Sequence, residues 1–444
     1  MHHACASSFV ISAYTFIFIK MPSSNISPSF QNQNLEALLE SAKPFLREEF
    51  HKIDEKLPTL IEILCSAGAG ECYHRLSTFL DHLRHVYRTI KLWKAPDSIA
   101  LCALFHSVYS NSYCNIVLFD PETSRDKVRS LIGEAAERIA YLFCVVDRLS
   151  LVHKSVMCQF TESELGEYLK ASEVSVTNAN DNGVFNGDEK WRKKMQSLVP
   201  AGGLFGRHHT TGEEIPVSRR IIGVFLLMTI ADISEQYFGF QDVLYENTNG
   251  RLELDGDRFD TLYPGNGKPG LWMNAASRMA AVYTLLVREE AIFLQENRRG
   301  SGIDRDEDIE LVIPPVFHHC TKILDANDLI MARDLYWEVV CDDGCDQVKK
   351  DKSEGKLVKC IEVNPYVGEP HVLLGQFYMS RGRFEEAEKE IEKGLRFLLE
   401  WGGSWDKRIS WEGWVAWCRV MLNKAKERSW PQTAWGVINL GLVR

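Results

Sequence analysis

The chain has no excess of positive charge, no paired-cysteine motif, no phosphate-cradling glycine loop and few runs that read as strand. Against 51 Lys and Arg stand 61 Asp and Glu, a formal net charge of −10. A basic face is the expected footprint of a protein that grips phosphate backbones, so nucleic acid is excluded as the principal partner. The 12 cysteines are scattered without a CxxC pair. Several, such as Cys102 and Cys144, sit inside apolar helical runs as free thiols. That usage fits a reducing compartment, cytosol or nucleus. Cys341 and Cys345, taken with His318, His319 and Cys320, match no standard zinc spacing. The glycines at 68–70 and 264–270 belong to turns and lack the GxxxxGK[ST] pattern. Long hydrophobic runs are also scarce. Phe9 to Ile19 has the length of a signal segment, but no Lys or Arg precedes it and no small-x-small cleavage site follows. It is too short to cross a bilayer. Residues 1–34 are expected to form a disordered leader, with Met21 as an alternative start. A signal anchor and membrane association are disfavoured, and a cytoplasmic protein is expected.

What the chain does have is helical periodicity. Its 444 residues are 45% hydrophobic and 25% charged, enough apolar material for two or three domains without disulfides. Leu35, Leu38 and Leu39, then Leu57, Leu60, Ile61 and Leu64, recur at helical spacing. Helices are expected at roughly 74–94, 97–109, 125–149 and 161–171, with Ala95-Pro96-Asp97 as a stop and restart. Residues 173–215 and 246–270 are rich in Gly, Asn and Asp and are expected as long polar loops. Between them, residues 218–237 are apolar nearly all round, as a deeply buried helix would be. Another helix is expected at about 271–296. A charged, Gly-containing linker at 298–308 divides a region 35–300 from a region 309–444, itself helical. The fold class is all-α.

Three of these segments carry residues of chemical interest. His74, His82 and His85 fall broadly on one face of the 74–94 helix. An apolar helix ends in His106-Ser107, and the buried helix delivers Asp232. Two imidazoles and a carboxylate suit a divalent transition metal such as Mn, Fe or Zn, which lowers the pKa of a bound water and polarises a phosphoryl oxygen. The metal-free alternative is a buried Asp232 that hydrogen-bonds a histidine, since an unpaired buried carboxylate is costly. Arg75, Arg219 and Arg220 are candidates to hold a phosphate, and Arg84 and Arg88 lie near the His helix.

The order of these motifs resembles the HD-domain superfamily, most closely the hydrolase domain of RelA/SpoT-type alarmone enzymes, over roughly residues 70–240. In that domain a first His precedes an "LLHD" motif by 24 residues, the interval from His82 to His106 here. Arg219-Arg220-Ile221-Ile222 leading to Ala231-Asp232 is similar to its later "IRV" and "LAD" elements, and Val146-Asp147-Arg148 to its "LVDG" stretch. The resemblance implies a metal held by His82, His106 and Asp232 and hydrolysis of a nucleotide or related phosphoester. The departures weigh against turnover. Ser107, a weaker ligand, replaces the paired Asp, and Ser110 and Asn111 occupy the positions of a water-activating Glu-Asp.

Residues 363–400 resemble a tetratricopeptide repeat, through Leu374-Gly375, Tyr378, Gly382, Ala387 and Ile391, with Asn364-Pro365 closing the preceding helix. One good repeat is present where about three usually make a stable stack, so this region is expected to pack back on the rest. Trp411, Trp414 and Trp417 are expected in core or inter-domain contact. Three readings follow. The first is an HD-like scaffold or ligand-sensing protein, catalytically impaired, with protein-binding hairpins at 309–444. The second is a metal-dependent phosphohydrolase acting on a nucleotide or similar phosphoester. The third is a purely structural adaptor.

Overall fold

A buried helix, Arg219–Gln236, crosses a second one, Met273–Glu296, and the rest of the fold is arranged around this pair. Both are apolar on nearly every face, and 14 and 18 of their residues respectively are buried, so each must be covered on all sides. They approach closely at Gly223, where a Cβ would stand 2.9 Å from Leu311 and 3.2 Å from Leu286 side-chain atoms. The computed structural model describes residues 34–441 except 185, 254, 255, 257, 259, 297–305, 307, 321 and 342–346. The leader expected at 1–34 lies outside these residues, apart from Asn34. The architecture is all-α, with three short antiparallel two-stranded ribbons among the described residues. No helix among them is long and apolar enough to cross a membrane.

Local signals set most helix ends. Thr78 and Asp81 form a reciprocal capping box at the start of Phe79–Leu92. Pro96 bars continuation, and the chain restarts as Asp97–Phe105. The helix expected from residue 74 therefore begins at Phe79. Residues Tyr73–His74 and Ser77–Thr78 pair as a tight ribbon instead, turning at Arg75, whose φ is 61°. The helix expected over 125–149 breaks at Gly133, whose φ of 87° separates Arg125–Ile132 from Glu134–Val145.

The long polar loop expected at 173–215 is a correction. Glu162–Asn182 is one continuous helix, followed by Lys190–Leu198 and by a ribbon of Leu204–Arg207 with Glu214–Val217. Packing overrode composition. Leu165, Ser172, Val176 and Ala179 are buried at helical spacing where the segment meets Met273–Glu296, and Arg288 donates to the Leu169 carbonyl and Ser172 hydroxyl. Asn178, Asn180 and Asp181, which read as loop, face outward, and Gly183 ends the helix in the left-handed conformation. Residues 246–270 have no helix or strand where they are described.

The C-terminal helices form antiparallel hairpins from Ala326–Val340 through Gln347–Val363, Glu369–Ser380, Phe384–Trp401 and Trp411–Lys426. They pack directly on the N-terminal bundle. Trp93 Nε1 donates to the Glu400 carbonyl at 3.0 Å, Trp405 Nε1 to Gly270 at 3.1 Å, and Arg88 Nε and Thr89 Oγ1 both to Gly402. Trp401 sits against both Trp93 and Trp272. Trp411 and Trp414 are buried, as core or inter-domain residues should be, whereas Trp417 is half-buried.

Candidate metal centre

The His82 helix presents an apolar face of Phe79, Leu83, Val86 and Ile90 to the core, which carries His82 inward with them. His106 caps the end of Asp97–Phe105. Asp232, Glu235 and Gln236 share one face of the last turns of Arg219–Gln236, at helical offsets of three and four. Three elements far apart in sequence thus deliver His82 Nε2, His106 Nε2 and Asp232 Oδ1 to one point. The two imidazole nitrogens lie 3.2 Å apart, and the carboxylate oxygen is 3.3 Å from the first and 3.9 Å from the second. Donors about 2.0–2.2 Å from an ion, at tetrahedral or octahedral angles, stand roughly 2.8–3.6 Å apart. The observed triangle needs only a small adjustment to meet that.

The second nitrogen of each ring is already engaged. His106 Nδ1 donates to the Ala103 carbonyl at 2.7 Å, and His82 Nδ1 faces Glu235 Oε2 at 2.5 Å. Both rings therefore carry a proton on Nδ1 and turn Nε2 inward, the arrangement in which a carboxylate or carbonyl behind a histidine orients it for a metal. Two lone pairs and a carboxylate oxygen at these distances repel unless a proton or a cation stands among them. Burial opposes charge on His82, but Glu235 and Asp232 outweigh it and push its pKa up to about 9. Burial brings His106 down to about 4 in spite of Asp232, so it stays neutral at pH 7 with its Nε2 lone pair available. Burial would raise Asp232, yet His82 and His106 hold it well below the ordinary carboxylate range. The donor set fits a single divalent ion such as Mn, Fe or Zn.

Around this centre runs a hydrogen-bonded shell that the sequence did not disclose. Glu235 bridges His82 and His85, the latter at 3.2 Å. The Gln236 amide donates to Asp232 Oδ1 at 2.5 Å, while Gln236 Oε1 accepts from Arg75 Nε at 3.2 Å and faces His74 Nε2 at 2.7 Å. The offset of Glu235 from Asp232 was a usable signal. Nothing in the local sequence pointed to His74 entering from a ribbon. Ser107 is buried and its hydroxyl accepts from Asn111 Nδ2 at 2.8 Å. Arg75 lies beside the centre. Arg219 and Arg220 do not, and their expected phosphate role is corrected. Both are buried, with their guanidinium groups on Glu290 and on the carbonyls of Val199, Asp306 and Ile309. Arg84 faces Glu48, and Arg88 pairs with Glu412. The Cys341–Cys345 stretch falls largely outside the described residues.

A family model described as a domain of unknown function, DUF6817, matches residues 63–148. That stretch holds His82, His106 and Ser107 but stops short of Asp232. Neither a curated protein nor a solved structure matches the chain.

Arg148, the last residue of the matched stretch, is 3% exposed. Its guanidinium carbon stands 3.5 Å from the centroid of the Phe143 ring, against which His106 packs edge-on at 5.7 Å. Arg148 Nε has no hydrogen-bond partner, and no carboxylate among the described residues pairs with it. A cation–π contact contributes about 0.5–2 kcal/mol, less than the several kcal/mol that burying an unpaired ion costs. Its positive charge helps to hold down both Asp232 and His106.

Proposed function

We propose that the chain is an HD-like, metal-centred ligand-binding protein, in which His82, His106 and Asp232 hold one divalent ion and turnover is impaired. One observation carries the reading: three donor atoms turned toward one point at mutual distances of 3.2, 3.3 and 3.9 Å, backed by the Ala103 carbonyl and the Glu235 carboxylate. When bound, the ion would supply Lewis acidity toward an anionic oxygen. Arg148, a buried guanidinium on the Phe143 ring that His106 also meets, has no carboxylate partner among the described residues and suits an oxyanion on the ligand. Hydrolysis needs a group to manage the proton of the attacking water. Ser107, Ser110 and Asn111 stand where the alarmone hydrolases carry carboxylates, so a phosphoester is expected to be bound and turned over poorly. We read the Glu369–Ser380 and Phe384–Trp401 hairpin as tetratricopeptide-like.

A second reading has its own support. With His82 held charged by Glu235 and Asp232, the cluster closes as a metal-free ion-pair network serving stability. Metal analysis of the purified full chain separates the two. The metal-centred reading expects close to one Mn, Fe or Zn per chain, lost in His106→Ala with near-ultraviolet circular dichroism retained. A metal-free wild type after supplementation with all three ions would overturn it.

A further inference from the structure

A cleft beside the centre is lined by none of the three candidate metal donors. It has a volume of about 190 Å³, and its walls include His74, Arg75, His85, Glu235 and Lys407 but none of His82, His106 and Asp232. It lies behind His82, on the side of Nδ1 and Glu235. The other wall is the turn between the Phe384–Trp401 and Trp411–Lys426 helices, through Gly403, Ser404 and Ser410. A space well under the about 300–1,000 Å³ of drug-sized sites suits a small ion or a single phosphate group, not a whole nucleotide.

Its charges are not balanced. Glu412 is taken by Arg88, and Glu235 by His82 and His85. Lys407 and Arg75 remain. The Lys407 ammonium donates to the carbonyls of Ser234, at 2.6 Å, and Ser404, and Arg75 donates to the Gln236 side chain. Neither forms an ion pair with a carboxylate among the described residues. Burial lowers Lys407 only to about 8, with Glu235 opposing, so it is charged at neutral pH. Two cations reach this cleft from opposite ends of the chain, and among the described residues each has neutral hydrogen-bond partners only. Removing an ion from water without an opposite charge is costly, and a bound anion offsets it. Backbone N–H groups at the start of the 16-residue Trp411–Lys426 helix, capped by Ser410 at the cleft wall, add positive potential.

We infer that this cleft is a second, metal-independent site for a phosphate-type oxyanion, gripped between Arg75 and Lys407. The inference goes beyond the metal-centred reading and does not depend on it. Lys407 holds the Ser234 carbonyl and Arg75 the Gln236 amide, so the anion would rest on the helical turn that carries Asp232. The C-terminal hairpins then complete a binding site in the N-terminal bundle.

The test is calorimetric titration of the metal-stripped full chain with inorganic phosphate at low ionic strength. Saturable one-to-one binding is expected, weakened about tenfold or more by Lys407→Met and by Arg75→Met, and unchanged by Lys424→Met at the exposed end of the last hairpin. Lys407→Arg is expected to restore most of the affinity. Should both Lys407 variants fail to fold, the half-buried Arg75 on its two-strand ribbon carries the comparison alone. No saturable phosphate binding by the wild type, or equal binding by a folded Lys407→Met or Arg75→Met protein, overturns the inference. Because the protein is metal-free throughout, neither result bears on the ion at His82, His106 and Asp232.

Discussion

Glu235→Gln tests whether the carboxylate behind His82 prepares it for a metal. Glutamine keeps the shape and an oxygen that can accept from both His82 Nδ1 and His85, so the fold is expected to survive. What disappears is the charge. A hydrogen bond to a charged group contributes about 1.5–3 kcal/mol and a neutral one about 0.5–1.5 kcal/mol, so the change should remove about 1–2 kcal/mol. That difference is a factor of about 5–30 in an equilibrium constant, overlapping the lower part of the about 10–100-fold usual for carboxylates that orient a metal-bound histidine. Competition with a chromophoric chelator for Zn or Mn reads the dissociation constant directly, beside the His106→Ala protein, which should retain no specific ion. Affinity within about twofold of wild type would show that Glu235 does not prepare His82. Complete loss, as in His106→Ala, would make Glu235 a ligand and the three-donor triangle the wrong set.

Two further outcomes follow from buried charges. Burial and the nearby Asp406 push Glu369 up to about 7, although the Trp405 and Asp406 backbone N–H groups favour its ionised form. Its folded pKa exceeds the unfolded value of 4.5, so its contribution to stability is fully present below about pH 4.5 and lost as pH rises through 7. Glu369→Gln keeps an acceptor for both N–H groups. It should raise the melting temperature relative to wild type at pH 8, by up to about 3 kcal/mol of stability, with little difference at pH 4.5; equal shifts at both pH values would refute the assignment. Arg148→Met replaces an unpaired buried guanidinium with an apolar chain of similar length. It should stabilise the metal-free protein by about 1–3 kcal/mol in denaturant unfolding and weaken any anion held at the metal face. A destabilised variant would mean that Arg148 is already compensated.

Helix content and many boundaries were legible because they rest on local signals: the Ala95-Pro96-Asp97 stop and restart, Ser218 and the all-round apolarity of residues 218–237. Errors arose where a tertiary contact outweighed composition. Residues 173–182 are polar, yet they stay helical because Ser172, Val176 and Ala179 are small enough to pack where they meet the Met273–Glu296 helix. Arg219 and Arg220 looked like phosphate ligands at a helix start, but Glu290, some 70 residues later, had already claimed them. His74 appeared to share a helix face with His82 and instead arrives from a ribbon, because Thr78 caps the helix after it.

Sequence alone offered the candidates for chemistry: two histidines 24 positions apart and an aspartate on an apolar helix. Periodicity suffices to place them on helices, since it is a property of neighbouring residues. Only the tertiary structure decided that Nε2 of both rings faces inward, that Glu235 stands behind one of them, that Arg148 meets no carboxylate among the described residues, and that Lys407 closes a cleft beside residues more than 300 positions earlier. These are relations of distance and direction between distant segments, set by how the buried helices pack, and no local pattern encodes them.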